Sequence, residues 1–157
     1  MKKRVLIIIF IIIILIIFLV AQKSLFFNSN NNKKDNDGFG VSVDKIINLS
    51  YKNLSQVPLY VFNYLDLEEL DISNNILTGS IQAEIRNLSN LKILRANNNL
   101  MTGVPAEIGQ LKNLKFLDLS NNKLTGLPQE LGNLNNLEVL NISGNQYSQQ
   151  DLDYIKN

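Results

Sequence analysis

Apolar positions recur every 23 or 24 residues over the C-terminal two-thirds of this 157-residue chain. In four consecutive copies an apolar residue is followed, at the same offsets, by a second and a third apolar residue, an Asn and a fourth apolar residue. The five copies begin at Asp44, Leu67, Leu91, Leu114 and Leu137. A fixed period of this length indicates one supersecondary unit stacked on copies of itself. We therefore predict a solenoid in which neighbouring units build the core together.

Each unit predicts a short strand followed by a returning segment. Leu117 and Leu119 are two positions apart, so they point to one face of a strand, while Asp118 points to the other. The second half of each unit has apolar residues at spacings of four and three, which indicates a helical or 3₁₀ segment packed on that apolar face. Prolines begin three of these segments: Pro58, Pro105 and Pro128.

An Asn follows each of the last four strands, where the chain must turn inward. Its amide can both donate to and accept from the backbone of neighbouring turns. We therefore predict a structural ladder of Asn75, Asn99, Asn122 and Asn145. Lys52 takes the ladder position in the first copy, at the solvent edge of the stack. At the other end, Ser148 and Asp151 predict a capped short helix within a C-terminal cap of residues 148–157.

These repeats resemble the leucine-rich repeat family. The family pattern L-x-x-L-x-L-x-x-N-x-L is met from Leu67 to Tyr147, and a degenerate first copy extends the resemblance back to Asp44. It implies an α/β solenoid over residues 44–157, a horseshoe with a parallel β-sheet on the concave face and short helical or 3₁₀ segments on the convex side. It also implies that a partner is usually bound on the concave face.

The N-terminal segment predicts a membrane tether. Residues 1–4 form a basic tail, and residues 5–21 are an unbroken apolar run of 17 residues. As a helix this run is roughly 25 Å long, near the short limit for crossing a bilayer. The positive charges before it predict a single-pass signal anchor with a cytoplasmic N-terminus and the repeats outside. A cleaved signal peptide, and hence a secreted protein, is the alternative. Residues 22–40 predict a disordered, Asn-rich linker.

Composition limits the chemistry that this chain can carry. It has no Cys and no His, which excludes thiolate nucleophiles, Cys/His metal sites and disulfides. We expect neither an enzyme nor a cofactor or metal site. The net charge is +4 over residues 1–37 and −3 over the remainder. A mildly acidic repeat region argues against a nucleic-acid partner, because nucleic acids require a basic face.

Candidate binding residues are the outward positions of the predicted strands. One column contains Ile46, Glu69, Ile93, Phe116 and Val139, and the next contains Asn48, Asp71, Arg95, Asp118 and Asn141. An apolar column beside a charged one suits an unidentified protein or peptide partner, with Phe116 as the anchor. The competing interpretation is that the apolar residues only stabilise neighbouring strands.

Two carboxylates in the charged column raise the question of catalysis. Asp71 and Asp118 should lie ~9–10 Å apart, two strand spacings, near the separation of an inverting carboxylate pair. Arg95 lies between them, and we expect it to neutralise both as an ion-pair ladder.

Taken together, the repeats and the N-terminal segment favour a membrane-tethered, extracytoplasmic interaction module. The alternative is a secreted or surface structural protein, such as an adhesin.

Overall fold

Seven short β-strands, four 3₁₀ helices and one α-helix are found in residues 45–156, the part of the chain that the computed structural model describes. In chain order the strands are β1 (Ile46–Asn48), β2 (Glu69–Asp71), β3 (Thr78–Gly79), β4 (Ile93–Arg95), β5 (Leu100–Met101), β6 (Phe116–Asp118) and β7 (Val139–Asn141). The predicted tail (1–4), membrane span (5–21) and linker (22–40) lie outside the described residues. None of the helices within residues 45–156 is long and apolar enough to cross a membrane.

One strand from each repeat joins a five-stranded parallel sheet in the order β1-β2-β4-β6-β7. The register pairs equivalent repeat positions throughout, as in Leu70 with Leu94 and Leu94 with Leu117. These central residues are fully buried because they point to the inner face of the sheet. The predicted parallel sheet, one strand per repeat, is confirmed.

A second sheet of two strands was not predicted from the sequence. β3 and β5 pair in parallel, with Thr78 opposite Leu100 and Gly79 opposite Met101. Both strands follow a ladder Asn, in the second and third repeats. Two residues are too few to show the period-2 alternation by which a strand is recognised in a sequence.

The return segments are 3₁₀ helices and pack against the inner face of the sheet. They are Leu59–Asn63, Ala83–Asn87, Ala106–Gln110 and Gln129–Asn133. Each buries an apolar residue at its centre, as Ile85 and Ile108 show with no exposed surface. Each predicted proline lies directly before one of these helices, in an extended conformation. This is the convex layer that the spacings of four and three predict.

The last return segment is the α-helix α1 (Gln149–Lys156), and its predicted cap is present. The backbone N–H and the hydroxyl of Ser148 both donate to the Asp151 carboxylate at 2.8 Å, and the Asp151 N–H donates back to the hydroxyl at 3.3 Å. The hydrogen bond from the Ser148 side chain, followed by that from its backbone, lowers the pKa of Asp151. Leu152 and Ile155 are partly buried against the core, so α1 covers the end of the stack.

The ladder Asn side chains connect one repeat to the next. Asn99 Nδ2 donates to the carbonyls of Ile72 and Ala96, both at 3.1 Å, and its Oδ1 accepts the Leu77 N–H at 3.0 Å. The same pattern of donation and acceptance is found at Asn75, Asn122 and Asn145. The ladder therefore satisfies backbone groups that the turns would otherwise leave unpaired in a buried place.

Candidate partner-binding face

The outward side chains of the five-stranded sheet form two parallel columns, because the register pairs equivalent positions of all five repeats. The apolar column consists of Ile46, Glu69, Ile93, Phe116 and Val139. The polar column consists of Asn48, Asp71, Arg95, Asp118 and Asn141. All ten residues predicted as candidates thus lie on one continuous face.

The apolar column is most accessible at its two ends. Ile46 is 59% exposed and Val139 is 44% exposed, while Ile93 and Phe116 in the middle are half-buried. Glu69 interrupts the column between Ile46 and Ile93. The exposed apolar surface of this column therefore lies on β1 and β7, rather than at the central Phe116.

Arg95 does not form the predicted ion-pair ladder with Asp71 and Asp118, so that prediction was wrong. Its guanidinium instead forms a salt bridge with Glu69 and lies over the Phe116 ring, 5.4 Å from the ring centroid. Glu69 and Phe116 occupy the apolar column on the two neighbouring strands, so the long Arg95 side chain crosses diagonally from one column to the other.

Two contacts on the face explain why the diagonal arrangement is preferred. An exposed cation–π contact contributes about 0.5–1 kcal/mol, and an exposed ion pair contributes about 0.2–1 kcal/mol. Arg95 obtains both by turning toward Glu69 and Phe116. Turning toward the aspartates would retain an ion pair but lose the aromatic contact. As a result, the Phe116 ring is partly covered by a guanidinium group.

The two aspartates instead hold the turns that follow their strands. Asp71 Oδ1 accepts the Ser73 N–H at 2.9 Å, and Asp118 Oδ1 accepts the Ser120 N–H at 2.9 Å. The Ser120 hydroxyl adds a bond of 2.6 Å to Asp118. Within residues 45–156 neither aspartate has a cationic partner. Both carboxylates therefore remain negatively charged groups on the face.

A stripe of opposite charges borders the face and was missed in the sequence. It consists of Lys45, Glu68, Lys92, Lys115 and Glu138, each one position after the start of its repeat. Salt bridges join Lys45 to Glu68 at 2.6 Å and Lys115 to Glu138 at 2.8 Å, and Lys92 also pairs with Glu68. Comparing the residues at this one repeat offset would have revealed the stripe.

Glu68 accepts hydrogen bonds from two of these lysines, which determines its pKa. The hydrogen bond from Lys45 and then that from Lys92 lower the pKa of Glu68 to about 2. The same contact, first by its hydrogen bond and then by its charge, raises the pKa of Lys45. Every charge of the stripe therefore has an opposite partner, unlike the aspartates of the polar column, and its three lysines against two glutamates leave a formal charge of +1.

The sequence that forms these stacked strand–turn–3₁₀ units matches a family model. A model described as a leucine-rich repeat region covers residues 43–155. The chain belongs to the leucine-rich repeat family. No curated protein matches it.

Solved leucine-rich repeat structures share the fold. A leucine-rich repeat protein of Leptospira interrogans is 33% identical, with a TM-score of 0.61 over 66% of this chain and 27% of that chain. The ectodomain of the Arabidopsis thaliana receptor kinase SOBIR1 is 32% identical, with a TM-score of 0.59 over 65% of this chain and 56% of that chain. The plant peptide hormone receptor RGFR1, solved in complex with RGF2, is 43% identical, with a TM-score of 0.54 over 57% of this chain and 15% of that chain. This chain therefore spans only part of the length of each of these structures.

Proposed function

We propose that this leucine-rich repeat protein is a non-catalytic interaction module that holds a protein or peptide partner on its concave face. One observation carries the proposal: the face presents an apolar column beside a polar column that retains two unneutralised carboxylates. The complex of the plant receptor RGFR1 with RGF2 gives support by analogy. The carboxylates disfavour nucleic acid, whose phosphates they would repel.

We further propose that residues 5–21 tether the module to a membrane, with the repeats on the extracytoplasmic side. The support is the 17-residue apolar run and the basic residues before it. A secreted or surface structural protein released by signal cleavage is the second candidate. Cell fractionation with intact-mass measurement separates the two. We expect the full-length chain in the membrane fraction, whereas loss of residues 1–21 together with release into the medium supports the alternative.

The location of the repeats can be measured with one added thiol, because the chain has no Cys. Ser89 is an exposed residue outside the strands and helices, so Ser89→Cys should leave the fold intact. A membrane-impermeant maleimide should label this variant on intact cells and should not label the wild-type chain. Labelling that appears only after lysis would place the repeats in the cytoplasm and reject an extracytoplasmic module.

The concave face itself can be tested by photo-crosslinking in the native membrane. A photoreactive amino acid at Val139 lies on the exposed end of the apolar column, and one at Gln129 lies on the convex layer as the matched control. We expect a discrete adduct from position 139 that is absent from position 129. Equal adducts from both positions, or an adduct from 129 alone, would show that the partner does not use the sheet.

A further inference from the structure

A side-chain oxygen accepts a hydrogen bond from the turn after the strand in four of the five repeats, and this acceptor does not need a charge. At the two ends of the polar column, Asn48 and Asn141 accept the N–H of the Ser two positions on, at 2.9 and 3.3 Å. The same Ser hydroxyls donate to these amides at 2.7 and 2.8 Å. Asn and Asp therefore perform the same structural task in this chain. The negative charges of Asp71 and Asp118 are not required by the turns.

Neither charge is used inside the described part of the protein. Arg95, the cation between the two aspartates in the polar column, is paired with Glu69 and lies over Phe116. The lysines of the neighbouring stripe pair with Glu68 and Glu138 instead. The two columns therefore carry Glu69 and Arg95 as an ion pair, and they carry two aspartate carboxylates that have no cationic partner within residues 45–156. The bordering stripe, with three lysines and two glutamates, adds a formal charge of +1 at the edge of the face.

The apolar column runs beside these charges on the same five strands. Along one strand, positions two apart are ~6.6–7 Å from each other, which separates the two columns. An extended segment that crosses the strands between the columns would direct alternate side chains to each side. One set would face the polar column with its aspartates, and the other would face Ile93 and Val139. Same-side side chains of such a segment repeat at ~6.6–7 Å, and long flexible cationic side chains can cover the difference from the ~9–10 Å between the two aspartates.

We propose that the concave face binds an extended segment of a protein partner that alternates cationic and apolar side chains, with its cations on Asp71 and Asp118 and its apolar side chains on the neighbouring column. The inference rests on the proposed function, because it specifies the partner of the same face. Cations suit this face because its own cation is already compensated by Glu69. An acidic segment would meet two unneutralised carboxylates and only that compensated guanidinium.

The test uses the full-length protein in detergent and fluorescently labelled synthetic peptides of eight residues. The first probe alternates Lys and Val, the second alternates Glu and Val, and the third alternates Lys and Ser. Fluorescence anisotropy should give saturable binding for the Lys–Val peptide and weaker binding for both others. High salt should weaken the Lys–Val complex, because the ion pairs are exposed.

Charge removal without structural change is provided by Asp71→Asn together with Asp118→Asn, since Asn already accepts the equivalent hydrogen bond at two other positions of the column. We expect this double variant to bind the Lys–Val peptide roughly 2- to 30-fold more weakly, the effect of losing two exposed ion pairs. The matched control is Glu84→Gln together with Glu130→Gln, which changes net charge equally at exposed convex positions. Circular dichroism checks that each variant is folded.

The outcomes distinguish this inference from the proposed function. Three results would overturn the preference for cations. The Glu–Val peptide could bind as tightly as the Lys–Val peptide, both double variants could lose the same affinity, or the Lys–Val peptide could show no saturable binding. Ile46→Ser with Val139→Ser then tests the face itself. If this pair weakens peptide binding while the aspartate pair does not, the face binds partners without the inferred charge preference. If neither pair has an effect, the peptide binds elsewhere and the inference fails, while the adducts from positions 139 and 129 decide the proposed function separately.

Discussion

Replacing Asn99 with Ala removes an amide that joins the second repeat to the third. Asn99 is 5% exposed, and its Oδ1 is the acceptor for the buried Leu77 N–H. Its Nδ2 donates to the carbonyls of Ile72 and Ala96. After the substitution the Leu77 N–H loses this acceptor in a place that water does not easily reach. We expect this orphaned donor to dominate the loss of stability.

The size of the stability loss depends on which of the backbone groups bonded to Asn99 keep another hydrogen-bond partner. Leaving one buried N–H unsatisfied costs about 1–3 kcal/mol. The Ile72 carbonyl still accepts from Asn75, and the Ala96 carbonyl still accepts from Asn122, so those losses are smaller. Removing the buried side-chain atoms adds about 1 kcal/mol for the small cavity. We expect a total loss of about 2–4 kcal/mol in the free energy of unfolding, or a fall in Tm of roughly 10–20 °C.

Equilibrium denaturant unfolding followed by circular dichroism measures this loss as a shift in midpoint. Asn97→Ala is the matched control, because Asn97 lies on the outer surface two residues away and its side chain forms no hydrogen bond within residues 45–156. It should cost less than about 0.5 kcal/mol. Asn145→Ala should cost less than Asn99→Ala because Asn145 is only half-buried. A loss below about 1 kcal/mol for Asn99→Ala, or an equal loss at Asn97, would refute the role assigned to the ladder.

Three further predictions follow from other contacts. Gly109→Ala should lower the unfolding midpoint sharply, because the new Cβ would lie 2.2 Å from the Glu130 carbonyl oxygen. Gly126→Ala is the control and should unfold like wild type, because no atom lies within 4 Å of its new Cβ. Equal midpoints for the two variants would contradict the close packing of the convex helices. Because the pKa of Glu68 is lowered to about 2, its contribution to stability is present above pH 4.5 and is lost as pH falls toward about 2. Glu68→Gln should therefore reduce the pH dependence of the free energy of unfolding in this acid range. An unchanged pH dependence would contradict the role of the Glu68 ion pairs. Ser148→Ala should cost about 1 kcal/mol through loss of the α1 cap, measured by thermal unfolding, and no loss would show that the cap is dispensable.

Much of the fold could be predicted because each repeat carries the same pattern of apolar residues and turn residues. A Leu pair two positions apart and an Asn at a fixed offset define a strand and its exit, and five copies place the strands side by side in register. The capped helix at Ser148 was also predictable, since an N-cap depends on residues only three positions apart. These features depend on neighbours along the chain.

The candidate face was predicted as a set of positions but not as a set of contacts. The columns follow from periodicity, which places Arg95 between Asp71 and Asp118. Arg95 contacts Glu69 and Phe116 instead, because its side chain is long enough to reach both and gains an ion pair with one and a cation–π contact with the other. Sequence spacing alone does not rank such diagonal contacts.

The sequence by itself determined the period, the strand positions, the buried Leu and Asn residues and the end cap, because each follows from spacing within a repeat or from a residue type that suits one backbone environment. Only the tertiary structure decided where the charges are compensated. It pairs Arg95 and the charges of the bordering stripe with opposite charges, and it leaves Asp71 and Asp118 holding turns without a cationic partner. The physical reason is that ion pairs form between side chains some 23 to 26 residues apart, whose distances exist only once the repeats are stacked.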